Sequence, residues 1–399
     1  VIMANILGIN TGSTNWTDAK SAISDFYNDG RSHLIVTPNP EIILSAQKDE
    51  ELFYLLNHAD LSLADGFGLK IAAWLSGQKL QRLTGADLLP YLLEEANNKS
   101  RRLLIIKPIL SLSSETDLLR VLSEKYPHIS PLIISTNRQA QAEESDLNKI
   151  KNFAPALAIC LLGAPEQEKY LHYLKENMPV LPLAVGLGGA FDFLSGRVRR
   201  APKIMRDFGF EWLWRLIKQP ERWRRIWRAT FVFLYKLIIW RFVLPYRYRQ
   251  NVAILMYRLT PEGREIFIVE RQGQPGHWQL PQGGLDGLDL VAAGSKEIRE
   301  ESGAIHFKII ASYKKLYRYE FTRENGHYQN KEGEKHFGYR GQEQGLLIVE
   351  FTGSPEEIKI NYWDHQNWSW VAEKEFIQKL HPCRQEAAFI YLQKLKNLN

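Results

Sequence analysis

Residues 185–249 read VGLGGAFDFLSGRVRRAPKIMRDFGFEWLWRLIKQPERWRRIWRATFVFLYKLIIWRFVLPYRYR. The segment opens as a short apolar strand running into a glycine turn. It then becomes the most basic and tryptophan-rich part of the chain, and it ends where a second sequence style begins. The residues before it alternate strand-like and helix-like stretches, as an α/β enzyme core does, and the residues after it read as a separate small domain. The expected organisation is a core over 1–200, a basic appendage over 201–249 and a second domain over 250–399, since a chain of 399 residues has two domains by default.

Between residues 221 and 244 there is neither Pro nor Gly, and Pro220 stands where a first helical residue is tolerated. At about 100° per residue, Trp223, Trp227, Phe231, Leu234 and Ile238 share one face, with Arg222, Arg225, Arg228 and Lys236 opposite. Lys236 and Arg241 interrupt the apolar run, which reads as too short for a bilayer span of roughly 20 residues. Tryptophan on one side and arginine on the other fits a helix lying on an anionic membrane surface. A helix packed on its own core, or on a second copy of the chain in a homo-oligomer, with solvated arginines, is the alternative.

The net charge of +6 is concentrated in this segment. Local basicity suits a membrane surface, a phosphorylated substrate or nucleic acid, the last by stacking and phosphate contact. The two cysteines, Cys160 and Cys383, lie far apart, which argues against a disulfide framework or a cysteine metal cluster and agrees with a reducing compartment. No charged n-region with an apolar stretch and cleavage site opens the sequence, so no secretory signal is expected.

In the first 200 residues, strands are expected at HLIVT ending on Thr37, at LSLAD ending on Asp65, at LLII from Leu103, at LII from Leu132, at LAICLL from Leu157 and at PLAVG. Helical stretches separate them, so a mostly parallel sheet with ligands beyond the strands' carboxyl ends is predicted. Asp65 there can accept a proton from an attacking hydroxyl, or simply cap the next helix. Thr37 and Asn39 carry the same ambiguity with turn chemistry. Gly186, Gly188 and Gly189 leave open backbone N–H groups that suit a diphosphate, although any tight strand-to-helix turn asks for glycine too.

The motifs TPNPEII, ADGFG, RLTGADL, LLGAPEQE, VGLGGAFDFLSGRVRRAP, FGFEWLWRL and QPERWRR occur in this order. Together they closely resemble the WecG/TagA/CpsF glycosyltransferases over about residues 1–245. The resemblance implies a Rossmann-like core and inverting transfer of N-acetylmannosamine from a UDP-sugar to an undecaprenyl-diphosphate-linked acceptor, with no obligatory metal. It also implies a basic C-terminal appendage that completes the site at the inner face of the cell membrane. By the same resemblance Asp65 is the base, and Thr37, Asn39, Arg82 and Gln167 contact substrate. Gly186, Gly188, Gly189 and Asp192, with Arg215, Arg222 and Arg225 of the appendage, meet the diphosphates. Where family members carry a glycine-rich turn after the Leu103 strand, this chain has Ile106-Lys-Pro-Ile-Leu.

Beyond residue 250, Glu297, Glu300 and Glu301 recur at i, i+3 and i+4, so one helix face presents three carboxylates that suit Mg²⁺ or Mn²⁺; a solvated acidic face is the plainer reading. WQLPQGG followed by KEIREESGA resembles the Nudix box, with Gly283 and Gly303 as its glycines and those glutamates as its metal ligands. This implies an α/β/α fold with a mixed sheet and metal-dependent cleavage of a nucleoside diphosphate derivative. Lys296 stands where the box has Arg, Leu288 where it has Glu, and the loop after Gly283 is one residue short.

Overall fold

The computed structural model describes residues 3–12, 14–75, 77–207, 209–324, 327–329 and 338–398; the side chains of Met3, Asp207, Arg215 and 322–329 lie outside the description. The chain divides into two compact units, Val1–Ile238 and Ile239–Asn399.

The first unit opens with a hairpin that periodicity did not disclose, Met3–Ile6 against Ile9–Gly12, turned by Leu7 and Gly8 at positive φ. Six parallel strands then form one sheet in the order Leu61–Ser62, Leu34–Val36, Leu183–Gly186, Leu157–Cys160, Arg102–Pro108, Ser130–Thr136. Leu103, Leu104, Ile105 and Ile106 are all fully buried, because helices cover both faces of such a sheet. Leu88, Leu92 and Leu93 of helix Gly85–Asn98 pack on one face with Leu118 and Leu122 of helix Glu115–Lys125. Every pairing in this sheet is parallel, so all six carboxyl ends reach one rim. The strand expected to run to Asp65 is only Leu61–Ser62.

The appendage is not the uniform helix expected over 221–244. It runs as a 3₁₀ turn (Pro220–Arg222), an α-helix (Trp223–Trp227), a π-helical turn (Arg228–Val232) and an α-helix (Phe233–Phe242). Thr230 Oγ1 donates to the Ile226 carbonyl at 2.7 Å, the local competition for backbone acceptors that accompanies a widened turn. The π turn leaves four of the five residues expected on one face exposed alike, Leu234 being the exception. Phe233, Leu237 and Trp240 are the buried residues, whereas Trp223, Trp227, Phe231 and Ile238 are more than half exposed. The expectation about length is also corrected: Pro220–Tyr246 spans 27 residues, long and apolar enough by composition to cross a membrane.

In the second unit, Tyr248–Thr260 pairs parallel with Gly341–Phe351 and antiparallel with Gly263–Arg271 around the Pro-Glu-Gly turn. Phe307–Glu320, Trp278–Gln279, Gln282–Gly284 and His365–Ala372 complete a mixed seven-stranded sheet. Alternation along the central strand sends Val252, Ile254 and Met256 to helix Leu290–Ser302 on one face. Ala253, Leu255 and Tyr257 meet helix Pro382–Lys396 on the other. The result is a Nudix-like α/β/α sandwich following the mixed α/β domain and its apolar helix. Cys160 is sealed in the first sheet, where burial pushes its thiol pKa up. Cys383 lies with His277 and His381 in a group whose ligand atoms are within 4.8 Å of one another. The two imidazoles stack 4.2 Å apart and 7° from parallel, so no ion lies in the plane of both rings as they stand.

Candidate active site

Asp65 sits on a loop pinned from both sides: its N–H donates to Pro38 O at 2.9 Å, and Leu83 N–H donates to Ala64 O at 3.0 Å. Its Oδ2 accepts from Gly85 N at 3.4 Å, at the start of helix Gly85–Asn98, where the helix dipole favours a carboxylate. Thr37 is buried and donates to Gly186 O at 3.1 Å, joining two strand ends. A Cβ added to Gly85 would meet Thr37 Oγ1 at 3.8 Å and Asp65 Oδ2 at 4.0 Å, so both side chains flank that glycine. Asn39 caps helix Pro40–Ala46 by accepting from Ile42 N at 3.0 Å, which is the turn chemistry left open for it.

Asn39 and Asp65 open into a cavity of about 380 Å³ whose far wall is the appendage. Arg82, Arg222 and Arg225 line it beside Trp212, Phe231, Phe233 and Leu234, so one space has a cationic part and an apolar part. Arg82 is held by Glu211 at 2.6 Å and donates to Arg206 O at 2.9 Å. Arg225 makes a two-pronged pair with Glu41, each contact 2.9 Å. Glu41 and Glu211 were not singled out from the sequence, although both stand inside the motifs TPNPEII and FGFEWLWRL. The side chain of Arg215 lies outside the described residues.

Thr37, Gln167, the three glycines and Asp192 do not line this cavity. Gln167 is buried, and its Oε1 accepts from Gly163 N at 3.2 Å and Gly188 N at 3.0 Å, tying two strand ends together. The Gly188 N–H is therefore not open to a diphosphate, contrary to expectation. A Cβ on Gly186 would stand 2.7 Å from Gln167 Nε2, which is why that position has none. Nε2 in turn donates to Glu168 Oε1 at 2.7 Å, and burial pushes the Glu168 carboxyl up to about 7. Asp192 accepts at 2.7 Å from Ser113, a residue in no recognisable motif.

On helix Leu290–Ser302 the three glutamates do not share one environment. Glu297 and Glu301 are buried, while Glu300 is about half exposed and paired with Lys296 at 3.0 Å. Glu297 packs against Gly283 so closely that any side chain there would occupy the space of its carboxylate. Glu301 Oε2 accepts from Gln282 N at 3.2 Å and lies 3.1 Å from His365 Nε2, a buried neighbour that carried no sequence signal. Two buried carboxylates four residues apart fit a hard divalent cation, whose charge would offset their repulsion.

Residues 4–246 match the Glycosyl transferase WecG/TagA/CpsF family, and residues 248–390 match the NUDIX domain. The N-acetylglucosaminyldiphosphoundecaprenol N-acetyl-beta-D-mannosaminyltransferase of Bacillus spizizenii is 34% identical over 203 residues, covering 50% of this chain and 77% of that protein. Its counterpart in Bacillus subtilis strain 168 is 32% identical over 233 residues, covering 56% and 85%. Among solved structures, a C. elegans Ap4A hydrolase binary complex superposes at 16% identity and TM-score 0.28, covering 37% of this chain and 98% of that one. A MutT protein from Methanosarcina mazei Go1 does so at 18% and 0.27, covering 39% and 99%. The chain belongs to the WecG/TagA/CpsF glycosyl transferase family through its first unit and carries a Nudix-like domain fused behind it.

Proposed function

We propose that the first unit is an inverting glycosyltransferase that moves N-acetylmannosamine, or a related sugar, from UDP to an undecaprenyl-diphosphate-linked acceptor. The observation that supports this reading is the shared cavity, which Asp65 lines together with Arg82, Arg222, Arg225 and an apolar wall. Asp65 takes the proton of the acceptor hydroxyl as its oxygen attacks the anomeric carbon, and the bond to UDP breaks on the opposite side. Arg222 and Arg225 meet a diphosphate, for which arginine forks are suited. Arg82, Gln167, Thr37 and Asn39 hold the surrounding loops, and Asp192 meets the donor at the rim. Residues 201–249 act as the arm that seats the protein on the inner face of an anionic membrane, in cell-surface polysaccharide or teichoic acid synthesis. The test is UDP release from UDP-N-acetylmannosamine with lipid-linked N-acetylglucosamine. Asp65→Asn is expected to lose about 10²-fold or more in turnover while still binding UDP. Full turnover by that variant removes Asp65 as the base.

In the second unit, Glu297 and Glu301, with Glu300 at the edge, would hold Mg²⁺ or Mn²⁺. Such a cation supplies charge neutralisation at a diphosphate and activation of water. The proposed reaction is hydrolysis of a nucleoside diphosphate derivative. A second reading, a binding module without turnover, is favoured by the Lys296–Glu300 pair and by exposed Leu288 where the box has Glu. Metal-dependent hydrolysis of nucleotide sugars and dinucleotide polyphosphates, with Glu300→Gln as control, separates the two.

A further inference from the structure

The strand Arg102–Pro108 carries a buried cation close to its carboxyl end. Lys107 is 5% exposed, and its Nζ donates to Pro108 O at 3.0 Å. An ammonium has three donors, and removing it from water costs several kcal/mol unless an opposite charge is present. No carboxylate pairs with it among the described residues.

Lys107 stands at the rim. Ile106 pairs with Cys160, Leu161 N donates to Ile106 O, and Leu187 N donates to Cys160 O, so Lys107 is level with the loops that hold Gly163 and Gly188. One strand further out, beyond Ser130–Thr136, lies Arg138. It is exposed, has no ion pair among the described residues, and its Nη2 would be 3.4 Å from a Cβ added to Gly163. Register thus sets a buried cation level with the glycine loop that an exposed one reaches, across the sheet from Asp65. In place of a glycine-rich turn whose amides could cradle phosphate, the chain has Ile-Lys-Pro-Ile, which offers an ammonium instead.

We propose that Lys107, assisted by Arg138, is the counter-charge for the donor's diphosphate, so that the leaving nucleotide is held over the ends of strands Leu157–Cys160, Arg102–Pro108 and Ser130–Thr136. This rests on the reading of a nucleoside-diphosphate donor. It assigns the cavity arginines Arg222 and Arg225 to the acceptor's diphosphate and leaves the donor's to the Gly163 loop. Separate cation sets let both anions occupy the site together, with Asp65 on the acceptor side.

The experiment is calorimetric titration of the full chain with UDP and, in parallel, with uridine, which lacks the phosphates. Lys107→Met is expected to weaken UDP about thirty-fold or more, as loss of a buried charge partner does, with uridine unchanged. Arg138→Gln, an exposed substitution, is expected to weaken UDP about three-fold, again without touching uridine. UDP affinity unchanged in Lys107→Met overturns the proposal. Should Lys107→Met lose uridine as well, Lys107→Arg decides: recovered UDP binding supports the charge role, and none overturns it. Transfer is assayed on the same samples. A wild-type protein that transfers sugar while Lys107→Met keeps full UDP affinity leaves the function standing and removes Lys107. A wild-type protein with no transfer whose UDP affinity depends on Lys107 does the reverse.

Discussion

Arg82 and Glu211 meet at 2.6 Å, joining the loop ahead of helix Gly85–Asn98 to the first tryptophan-bearing helix of the appendage. Both side chains are less than a fifth exposed. The cavity wall opposite Asp65 therefore depends on a largely desolvated pair, and a buried pair costs most when only one partner is removed.

Glu211→Gln is accordingly expected to destabilise the first unit by about 2–4 kcal/mol and to lower transfer by more than the loss of folded protein accounts for. Arg82→Gln behaves alike. The double substitution recovers part of the loss, because no uncompensated charge remains. Chemical denaturation of the four proteins in a double-mutant cycle measures the coupling. Additive losses would mean that the pair does not hold the wall.

Gln167→Leu removes the acceptor shared by the Gly163 and Gly188 amides and leaves two half-buried donors without it. The expected cost is about 1–2 kcal/mol, because each amide is partly shielded from water. Gly186→Ala should cost about 1–3 kcal/mol by forcing the same amide aside. Denaturant midpoints check both, and a neutral Gly186→Ala would show that Gln167 has room to move.

Glu168 predicts a pH effect of definite sign. Its carboxyl is raised by burial from the ordinary value of 4.5 to about 7. Between those values the unfolded chain releases the proton while the folded chain keeps it, so stability falls as pH rises from about 4.5 to 7 and levels off above. The full effect is on the order of 3 kcal/mol. Glu168→Gln, which cannot ionise, should flatten that slope and gain on the wild type as pH rises to 8. Denaturation at several pH values tests this, and parallel slopes in the two proteins would exclude a buried ionisation at Glu168.

The exposed ring stripe makes a separate prediction. Trp223, Trp227 and Phe231 are each more than half exposed, with Trp227 and Phe231 stacked at 4.4 Å. Replacing all three by Ala should leave the melting temperature within a few degrees, since little buried surface is lost. Flotation with anionic vesicles should drop about ten-fold or more, as amphipathic rings supply interfacial affinity. Unchanged flotation would assign membrane contact elsewhere.

The sequence by itself determined the two-part architecture and the parallel sheet. Apolar runs such as LLII and LAIC can be satisfied only between two helical layers, and WQLPQGG with KEIREESGA marks the second domain. It also named Asp65, Asn39, Arg82, Arg222 and Arg225, which line one cavity. Tertiary structure alone decided which charges are spent within the protein. That Glu211 holds Arg82, that Glu41 holds Arg225 and that Gln167 takes the Gly188 amide are long-range pairings, separated by 21 to 184 positions. No periodicity encodes such contacts. The appendage departs from a uniform helix for a related reason: the π-helical turn at Arg228–Val232, where the Thr230 hydroxyl bonds the Ile226 carbonyl, is a local change that no periodicity discloses. Local propensity sets the elements, but the free energy of a buried charge or amide depends on what the rest of the chain brings within about three ångströms of it.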